Sequence, residues 1–186
     1  MGFQKLAEGI FIIDNFLDKD ECKQLIALSE SLGYKPADVD VHGQRQMLSM
    51  IRTNERVDME SREIAAQFWQ KLKAINMPDI NGEQPIGLTP FFRFYRYEGE
   101  QKFNMHKDGR KEYKGSHTRL TMLVYLSDLK DSGATRFRDA RIDVFPKSGK
   151  ALLFRHELWH AGMPVNNGIK YVLRTDVLFE PGSEEG

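Results

Sequence analysis

Short runs of β-forming residues, separated by turn residues, fill the second half of this 186-residue chain. Branched and aromatic side chains recur in each run and favour strands, whereas the Gly, Asp, Ser and Pro between the runs favour turns. The runs cover residues 91–97, 103–107, 119–126, 134–137, 142–145, 151–154 and 170–179. Many short strands with regularly spaced turns are typical of an antiparallel sandwich or barrel. The sequence therefore predicts an α+β protein with a mainly β core.

The first half of the chain adds helices to this β core. Asp18 and Glu21 have the spacing of a capping box, which predicts a helix that begins there and ends at Gly33. Residues 34–50 are polar and aperiodic, which predicts a loop, and a second helix is expected to begin near Asp58. We expect both helices to pack on the outside of a β core that occupies the C-terminal half.

Composition limits the classes of protein to which the chain can belong. Its length suits one domain, divided into helical support with N-terminal strands (1–88), a β core (89–180) and a short tail (181–186). Lysine plus arginine total 27, as do aspartate plus glutamate, so the zero net charge gives no reason to expect a nucleic-acid partner. The single Cys22 fits a reducing compartment, and no apolar run suits a membrane span or a signal peptide. We therefore expect a soluble, cytoplasmic protein without a membrane partner.

Two histidines and one aspartate have the spacing of a metal site. In an extended strand, residues two apart point to the same side, so His106 and Asp108 can reach one ion. A histidine from a distant strand would complete the set, and we prefer His160 to His156 because further candidate residues follow His160. Two imidazoles and one carboxylate on one face of an ion form the ligand set of non-haem Fe(II) oxygenases. The sequence predicts His106, Asp108 and His160 as metal ligands and catalytic centre.

Iron suits this ligand set better than zinc. Zinc sites of this kind are usually tetrahedral and often contain thiolates, and Cys22 has no second cysteine as a partner. Iron would keep three octahedral positions for a chelating 2-oxo acid and dioxygen. The remaining histidines, His42 and His117, lie in polar segments and are expected to be solvated.

A cation follows the second histidine. Lys170, Val172 and Arg174 share one face of the last predicted strand, because alternate side chains of a strand point to one side. A cation at the base of an apolar barrel is costly unless an anion pairs with it. The far carboxylate of 2-oxoglutarate would supply that charge. In the alternative interpretation, Lys170 extends to solvent and Arg174 pairs with a surface acid.

Several segments in a fixed order resemble the core of the prolyl 4-hydroxylase-type 2-oxoglutarate/Fe(II) oxygenases. They are TRLTMLVYLSD (118–128), GATRF (133–137), PKSGKALLF (146–154), and HAGMPV (160–165) continuing through Gly168 and Lys170 to YVLRTD (171–176). The helix start FLDKDEC (16–22) is also similar, so the resemblance covers most of the chain. As an ordered set, these motifs are highly specific for the superfamily.

The resemblance implies a double-stranded β-helix, or jelly roll, and the metal triad described above. It matches Lys170 to the basic residue that holds the distal carboxylate of 2-oxoglutarate. It matches Tyr125 to a tyrosine that hydrogen-bonds the same carboxylate, and Tyr97 to a tyrosine that faces the co-substrate. Arg174 is a second candidate for that carboxylate, because its planar fork binds carboxylates bidentately. The implied cofactors are Fe(II), 2-oxoglutarate and O2, with ascorbate as a reductant.

The implied reaction is hydroxylation of an unactivated C–H bond, with release of succinate and carbon dioxide. The first expectation for the substrate is a prolyl or other side chain of a protein or peptide. The second is a free amino acid or another small metabolite, and the third is a cupin-like metal-binding or sensing module without turnover. Segments 34–50 and 109–117 flank the expected mouth as candidate lids, and Arg52 and Arg56 are candidates to reach the site from outside the β core. The sequence does not specify the oligomeric state.

Overall fold

The computed structural model describes residues 2–37, 39–41, 44–46 and 52–180, so His42 and the tail 181–186 lie outside the described residues. The described strands are β1 (Gly2–Ala7), β2 (Ile10–Asp14), β3 (Lys35–Pro36), β4 (Val39–Val41), β5 (Gln44–Gln46), β6 (Glu55–Glu60), β7 (Pro85–Leu88), β8 (Phe91–Glu98), β9 (Phe103–His106), β10 (Glu112–Tyr113), β11 (Ser116–Tyr125), β12 (Thr135–Phe137), β13 (Ile142–Val144), β14 (Ala151–Arg155), β15 (His160–Gly162) and β16 (Ile169–Phe179). Each run predicted as a strand in the second half is a strand. The prediction of a mainly β core is confirmed.

Most of the strands form two antiparallel sheets, and side chains from both sheets pack into a core between them. The larger sheet has the order β1-β2-β14-β11-β16-β8-β6-β3, with β10 beside β11 and β7 beside β16. The smaller sheet has the order β13-β12-β15-β9, and β4 pairs with β5 in a separate ribbon. The β core is not confined to the C-terminal half, because the N-terminal strands belong to its larger sheet. Four strands from the first 60 residues extend both ends of the larger sheet, where they satisfy backbone groups that an edge would leave unpaired.

The first helix has the predicted limits. α1 (Lys19–Leu32) begins after Asp18, and the side chain of Glu21 closes the predicted capping box on the Asp18 backbone. Gly33 follows the helix with φ +81°, a conformation that glycine adopts without steric cost. Among the described residues, no helix has the length and apolar character needed to cross a membrane.

The second helix begins later than the sequence suggested. α2 (Arg62–Lys73) is capped by the Ser61 hydroxyl, whereas Asp58 lies on β6. Val57 and Met59 alternate with polar residues and pack on the main core, and β6 pairs with β8 along its full length. This period of two and the sheet pairing together favour a strand there. The predicted loop at 34–50 also contains β3, β4 and β5, and its other residues beyond 37 lie outside the described ranges.

Strand alternation divides the interior into two cores. Three side chains of β11 face the core that α1 and α2 cover: Leu120, Met122 and Val124. The alternate three face the space between the two sheets: Thr121, Leu123 and Tyr125. β16 is divided in the same way, so the predicted shared face of Lys170, Val172 and Arg174 is confirmed and points into this second space. The inter-sheet space therefore contains polar side chains from both strands: Thr121 of β11, and Lys170 and Arg174 of β16.

One expectation for a histidine was wrong. His117 is 3% exposed on β11, and its Nε2 lies 2.7 Å from Oε2 of Glu83. Arg119 also binds Glu83 through its guanidinium, and these two partners hold the pKa of the Glu83 carboxyl at about 2, with the Arg119 hydrogen bond as the largest cause. Because Glu83 comes from a distant turn, the polar local sequence around His117 gave no sign of this burial.

Candidate metal centre

The three predicted ligands meet at the edge of the smaller sheet. His106 ends β9 and is paired directly with His160, which begins β15. Asp108 lies two residues beyond β9, and its backbone N–H donates to the His156 carbonyl at 3.0 Å. Asp108 Oδ1 is 3.8 Å from His106 Nε2, and Oδ2 is 3.6 Å from His160 Nε2. One ligand atom from each residue lies within 4.8 Å of the others, which is close enough to share one ion.

Backbone carbonyls fix which nitrogen of each imidazole faces the site. Nδ1 of His106 is 2.7 Å from the Asn104 carbonyl, and Nδ1 of His160 is 2.9 Å from the Leu158 carbonyl. A carbonyl accepts only, so each Nδ1 donates a proton and each Nε2 keeps its lone pair for a metal. Phe103 stacks on the His106 ring at 3.6 Å and restricts its rotation further.

Electrostatics hold all three ligands in the protonation state that a metal requires. Burial lowers the pKa of His106 to about 4 and also lowers the pKa of His160. Burial alone would raise the pKa of Asp108, but the Arg174 charge, above all, outweighs it and holds that pKa well below its usual range. At neutral pH the site therefore offers two neutral imidazoles and one carboxylate, the form in which these side chains bind metals.

A buried polar network behind the carboxylate orients Asp108. The Thr121 hydroxyl donates to Oδ2 of Asp108 at 2.6 Å, and Nη2 of Arg174 lies 3.2 Å from Oδ1. The same Arg174 nitrogen lies 3.2 Å from Asp176, which therefore shares the guanidinium with Asp108. His156, the alternative third ligand, has Nδ1 3.0 Å from Thr121. Its Nε2 lies 2.9 Å from the Thr118 hydroxyl, so both of its nitrogens belong to this network.

Loss of the Thr121 hydroxyl is expected to weaken metal binding. Thr121→Val keeps the side-chain shape but removes the donor to Asp108, and loss of such an outer hydrogen bond costs roughly 10–100-fold in metal affinity. Competition titration with Zn(II) or Mn(II) measures the effect. Thr175→Val is the matched control, because the Thr175 hydroxyl bonds to Thr89 on the helix-facing side of β16. Equal affinities in both variants would contradict the role assigned to Thr121.

The triad opens onto a cavity between the sheets. Its apolar walls include Phe103, Leu123, Phe154 and Val172. Lys170 also lines it and is 2% exposed, with Nζ 4.9 Å from the Tyr97 ring and 5.8 Å from the Tyr125 ring. Burial lowers the pKa of Lys170 to about 7, and no carboxylate of the described residues pairs with it. A buried ammonium without a counter-ion fits a ligand that brings its own negative charge.

The other predicted co-substrate residues differ in how they are placed relative to this cavity. Tyr97 lines it directly beside Lys170. Tyr125 is fully buried, and its hydroxyl donates to the Thr135 hydroxyl at 2.7 Å, so Thr135 is the group that reaches the cavity. Arg174 lies at the metal end, where it pairs with Asp108. The co-substrate roles of all four residues, including Lys170, stay predictions.

Sequence reasoning missed several residues of the site. Thr121, Thr135, Tyr95 and Phe103 all line the cavity or contact a ligand residue. A signal existed for Thr121, since it is the polar residue on the same face as Leu123 and Tyr125 in the otherwise apolar second half of β11. The other contacts depend on how the two sheets pack, which strand periodicity alone does not specify.

Comparison with known proteins agrees with this geometry. The family model for the 2OG-Fe(II) oxygenase superfamily matches residues 92–175, a span that holds all three candidate ligands and Lys170. The probable prolyl 4-hydroxylase 8 of Arabidopsis thaliana is 28% identical over 200 residues, which cover 87% of this chain and 65% of that protein. The chain thus spans slightly less than two thirds of the length of this relative.

Two solved structures share the fold. The viral collagen prolyl hydroxylase vCPH from Paramecium Bursaria Chlorella virus-1, solved as a 2OG complex, has a TM-score of 0.65 and 21% identity over 95% of this chain and 100% of that chain. The prolyl hydroxylase from Trichoplax adhaerens, in complex with a hypoxia inducible factor peptide fragment, has a TM-score of 0.71 and 17% identity over 92% of this chain and 84% of that chain. The predicted double-stranded β-helix is therefore confirmed. The family match over residues 92–175 and the similarity to prolyl 4-hydroxylases agree with the resemblance seen in the sequence, and they support the prolyl 4-hydroxylase-type 2-oxoglutarate/Fe(II) oxygenase superfamily as the one that this chain resembles.

Proposed function

We propose that the protein is an Fe(II)- and 2-oxoglutarate-dependent dioxygenase that hydroxylates an unactivated C–H bond, with a prolyl residue of a peptide or protein as its first candidate substrate. The observation that carries this proposal is the convergence of His106, Asp108 and His160 at one end of a cavity whose wall includes Lys170, a buried cation that no described carboxylate pairs with. A dicarboxylate that reaches from the metal to this ammonium satisfies both features.

The chain's own residues suit this ligand set. His106, Asp108 and His160 would hold Fe(II) on one face, and Lys170 would pair with the distal carboxylate of 2-oxoglutarate. When bound, iron, 2-oxoglutarate and O2 supply the oxidising power for the reaction. The protein holds the carboxylate and imidazole geometry through Thr121 and the backbone carbonyls, and it surrounds the reacting centre with apolar walls that exclude water.

The relatives support a peptidyl substrate. The Arabidopsis relative is named a probable prolyl 4-hydroxylase, and the Trichoplax neighbour was solved with a peptide fragment. A free amino acid or small metabolite is the second candidate, because the cavity combines mostly apolar walls with a few polar groups, as small-molecule sites do. The buried, free Cys22 agrees with a reducing compartment, and we propose that the protein works in the cytoplasm.

Product analysis tests this proposal. Purified protein with Fe(II), ascorbate, O2 and 2-oxoglutarate is offered proline-containing peptides and, separately, free L-proline and other amino acids. We expect succinate release coupled to a mass gain of one oxygen atom on a peptide proline. A reaction mixture without 2-oxoglutarate is the control. Oxidation of free amino acids alone would support the second substrate class. If no substrate gives succinate and 2-oxoglutarate binding does not depend on metal, the protein is a non-catalytic module instead.

A further inference from the structure

Three buried donor groups near the metal centre lack acceptors. Tyr95, Arg52 and Arg174 are 5%, 5% and 8% exposed. Tyr95 and Arg174 contact each other through their side chains, where the guanidinium can donate only to the phenol oxygen. Among the described residues, no acceptor in hydrogen-bond geometry exists for the Tyr95 hydroxyl, for Nη2 of Arg52 or for Nε of Arg174. A buried donor without an acceptor costs about 1–3 kcal/mol, and more when it is charged. Three such groups in one region indicate a missing acceptor.

The three residues are packed together on one flank of the metal centre. The Arg52 guanidinium lies 5.0 Å from the centre of the Tyr95 ring and 4.1 Å from the centre of the Phe103 ring. Phe103 in turn stacks on the ligand His106, and Arg174 contacts the ligand Asp108. Tyr95 and Arg174 line the cavity itself. An acceptor held by these donors would therefore lie beside the metal.

The charges around Tyr95 favour an anion as this acceptor. Arg52 donates its Nε to the neutral Asn54 amide oxygen at 3.1 Å, and no described carboxylate pairs with its guanidinium. Asp176 pairs with two cations: its Oδ1 lies 3.2 Å from Nη2 of Arg174, and its Oδ2 lies 2.7 Å from Nζ of Lys111. Burial alone would raise the pKa of the Tyr95 hydroxyl, yet the cations of Arg174, Arg52 and Arg93 lower it to about 8. A metal ion at the triad would add further positive charge.

This group of donors is separate from the cation expected to hold 2-oxoglutarate. Lys170 and Arg174 lie four residues apart on β16, roughly 13 Å along a strand at about 3.3 Å per residue. With Lys170 pairing one end of 2-oxoglutarate and the metal binding the other, the described residues still offer no acceptor to the Tyr95 hydroxyl or to Nη2 of Arg52. Planar guanidinium groups bind carboxylates better than they bind neutral acceptors.

We propose that Tyr95, Arg52 and Arg174 form a second carboxylate subsite, which binds a carboxylate of the substrate that is hydroxylated. This inference rests on the proposed function and narrows its substrate to one with an acidic group close to the oxidised carbon. Two sources share this chemistry: the free carboxyl group of a small substrate, and the acidic side chain of a peptide residue next to the target.

A binding experiment without turnover tests the subsite. The protein is loaded with redox-inactive Zn(II) and saturating 2-oxoglutarate, and acetate is titrated while NMR follows the arginine Nε–H resonances. Acetamide, the neutral analogue of similar shape, is the control ligand. We expect acetate to bind and acetamide not to bind. Tyr95→Phe and Arg52→Gln should each weaken acetate binding about tenfold or more, since each removes a donor to a charged acceptor.

Matched controls distinguish this subsite from nonspecific anion binding at the surface and from the co-substrate site. Arg136→Gln removes a surface arginine that pairs with Asp143, and it should leave acetate affinity unchanged. Competition between acetate and 2-oxoglutarate would overturn the proposal, because the donors would then serve the co-substrate. Equal acetate affinity in wild type, Tyr95→Phe and Arg52→Gln would overturn it as well. Failure of the Zn(II)-loaded protein to bind 2-oxoglutarate would instead refute the proposed function.

Two further ligand pairs identify the source of the carboxylate. L-proline is compared with L-prolinamide, and the capped dipeptide Ac-Pro-Glu-NH2 is compared with Ac-Pro-Gln-NH2. Tighter binding of L-proline, lost in Arg52→Gln, assigns the subsite to a free carboxyl group. Tighter binding of the glutamate peptide, lost in the same variant, assigns it to an acidic side chain. If neither acid binds more tightly than its amide, the substrate role is wrong.

Discussion

Asp108→Ala is expected to abolish both metal binding and 2-oxoglutarate turnover. The carboxylate lies within 4 Å of both ligand imidazoles, and Thr121 and Arg174 orient it. Without it, two histidines remain on the rim of an apolar cavity. Loss of an outer hydrogen bond alone costs about 10–100-fold in metal affinity, so loss of the ligand itself should exceed about 100-fold. Isothermal titration with Mn(II), and succinate release with Fe(II), measure the two effects.

Two further variants make this result decisive. Asp108→Asn keeps the shape of the side chain and removes only its charge, so it should fold like the wild type and still lose metal affinity. Asp143→Ala removes a carboxylate that pairs with the exposed Arg136 on the smaller sheet, and its metal affinity should be unchanged. Wild-type metal affinity in folded Asp108→Asn would refute the assigned triad.

Lys170→Met should produce two large and opposite effects. The ammonium is buried with no described carboxylate as a partner, so methionine, which matches its length, should stabilise the ligand-free protein at pH 7. The same change should weaken 2-oxoglutarate binding roughly 100-fold, because the distal carboxylate would be buried without a cation. Arg174→Ala should weaken 2-oxoglutarate binding less. If Arg174→Ala weakened 2-oxoglutarate binding more than Lys170→Met, Arg174 and not Lys170 would be the residue that binds the distal carboxylate.

The stabilisation by Lys170→Met should depend on pH. The lysine pKa is lowered to about 7 in the folded protein from 10.5, so below pH 7 the folded state carries the full cost of a buried charge. As pH rises from about 7 to 10.5, the folded lysine loses its proton before the unfolded one does, and the wild type gains stability. The advantage of the variant should therefore be about 3–5 kcal/mol near pH 7 and shrink towards pH 10.

Chemical denaturation of ligand-free wild type and variant across this range measures the difference. An advantage that stays constant with pH would mean that packing, and not charge, stabilises the methionine. Saturating 2-oxoglutarate and Zn(II) should reverse the order of stability, because only the wild type retains the cation that pairs with the ligand.

Residues whose role follows from strand alternation were predicted well. Lys170, Val172 and Arg174 share one face because a strand places every second side chain on the same side. Asp108 reaches the same centre as His106, as predicted, but from just beyond β9, where its backbone N–H bonds to the His156 carbonyl. The capping box of Asp18 and Glu21 is equally local. Residues whose role depends on a distant partner were not predicted. Glu83 reaches the buried His117 from another part of the chain, and the strand that contains Asp58 is completed by its pairing with β8.

The sequence by itself determined the strands of the β core and the face on which Lys170 lies, since each follows from local residue type and spacing. It predicted His106, Asp108 and His160 as one ligand set, which the tertiary structure then brought together. The tertiary structure alone decided that His156 supports the site through Thr121 and Thr118, that Arg174 pairs with Asp108, and that Arg52 lies against Tyr95. These contacts join residues far apart in the chain. The pairing and packing of the sheets set their distances, and those distances are not encoded in any short segment.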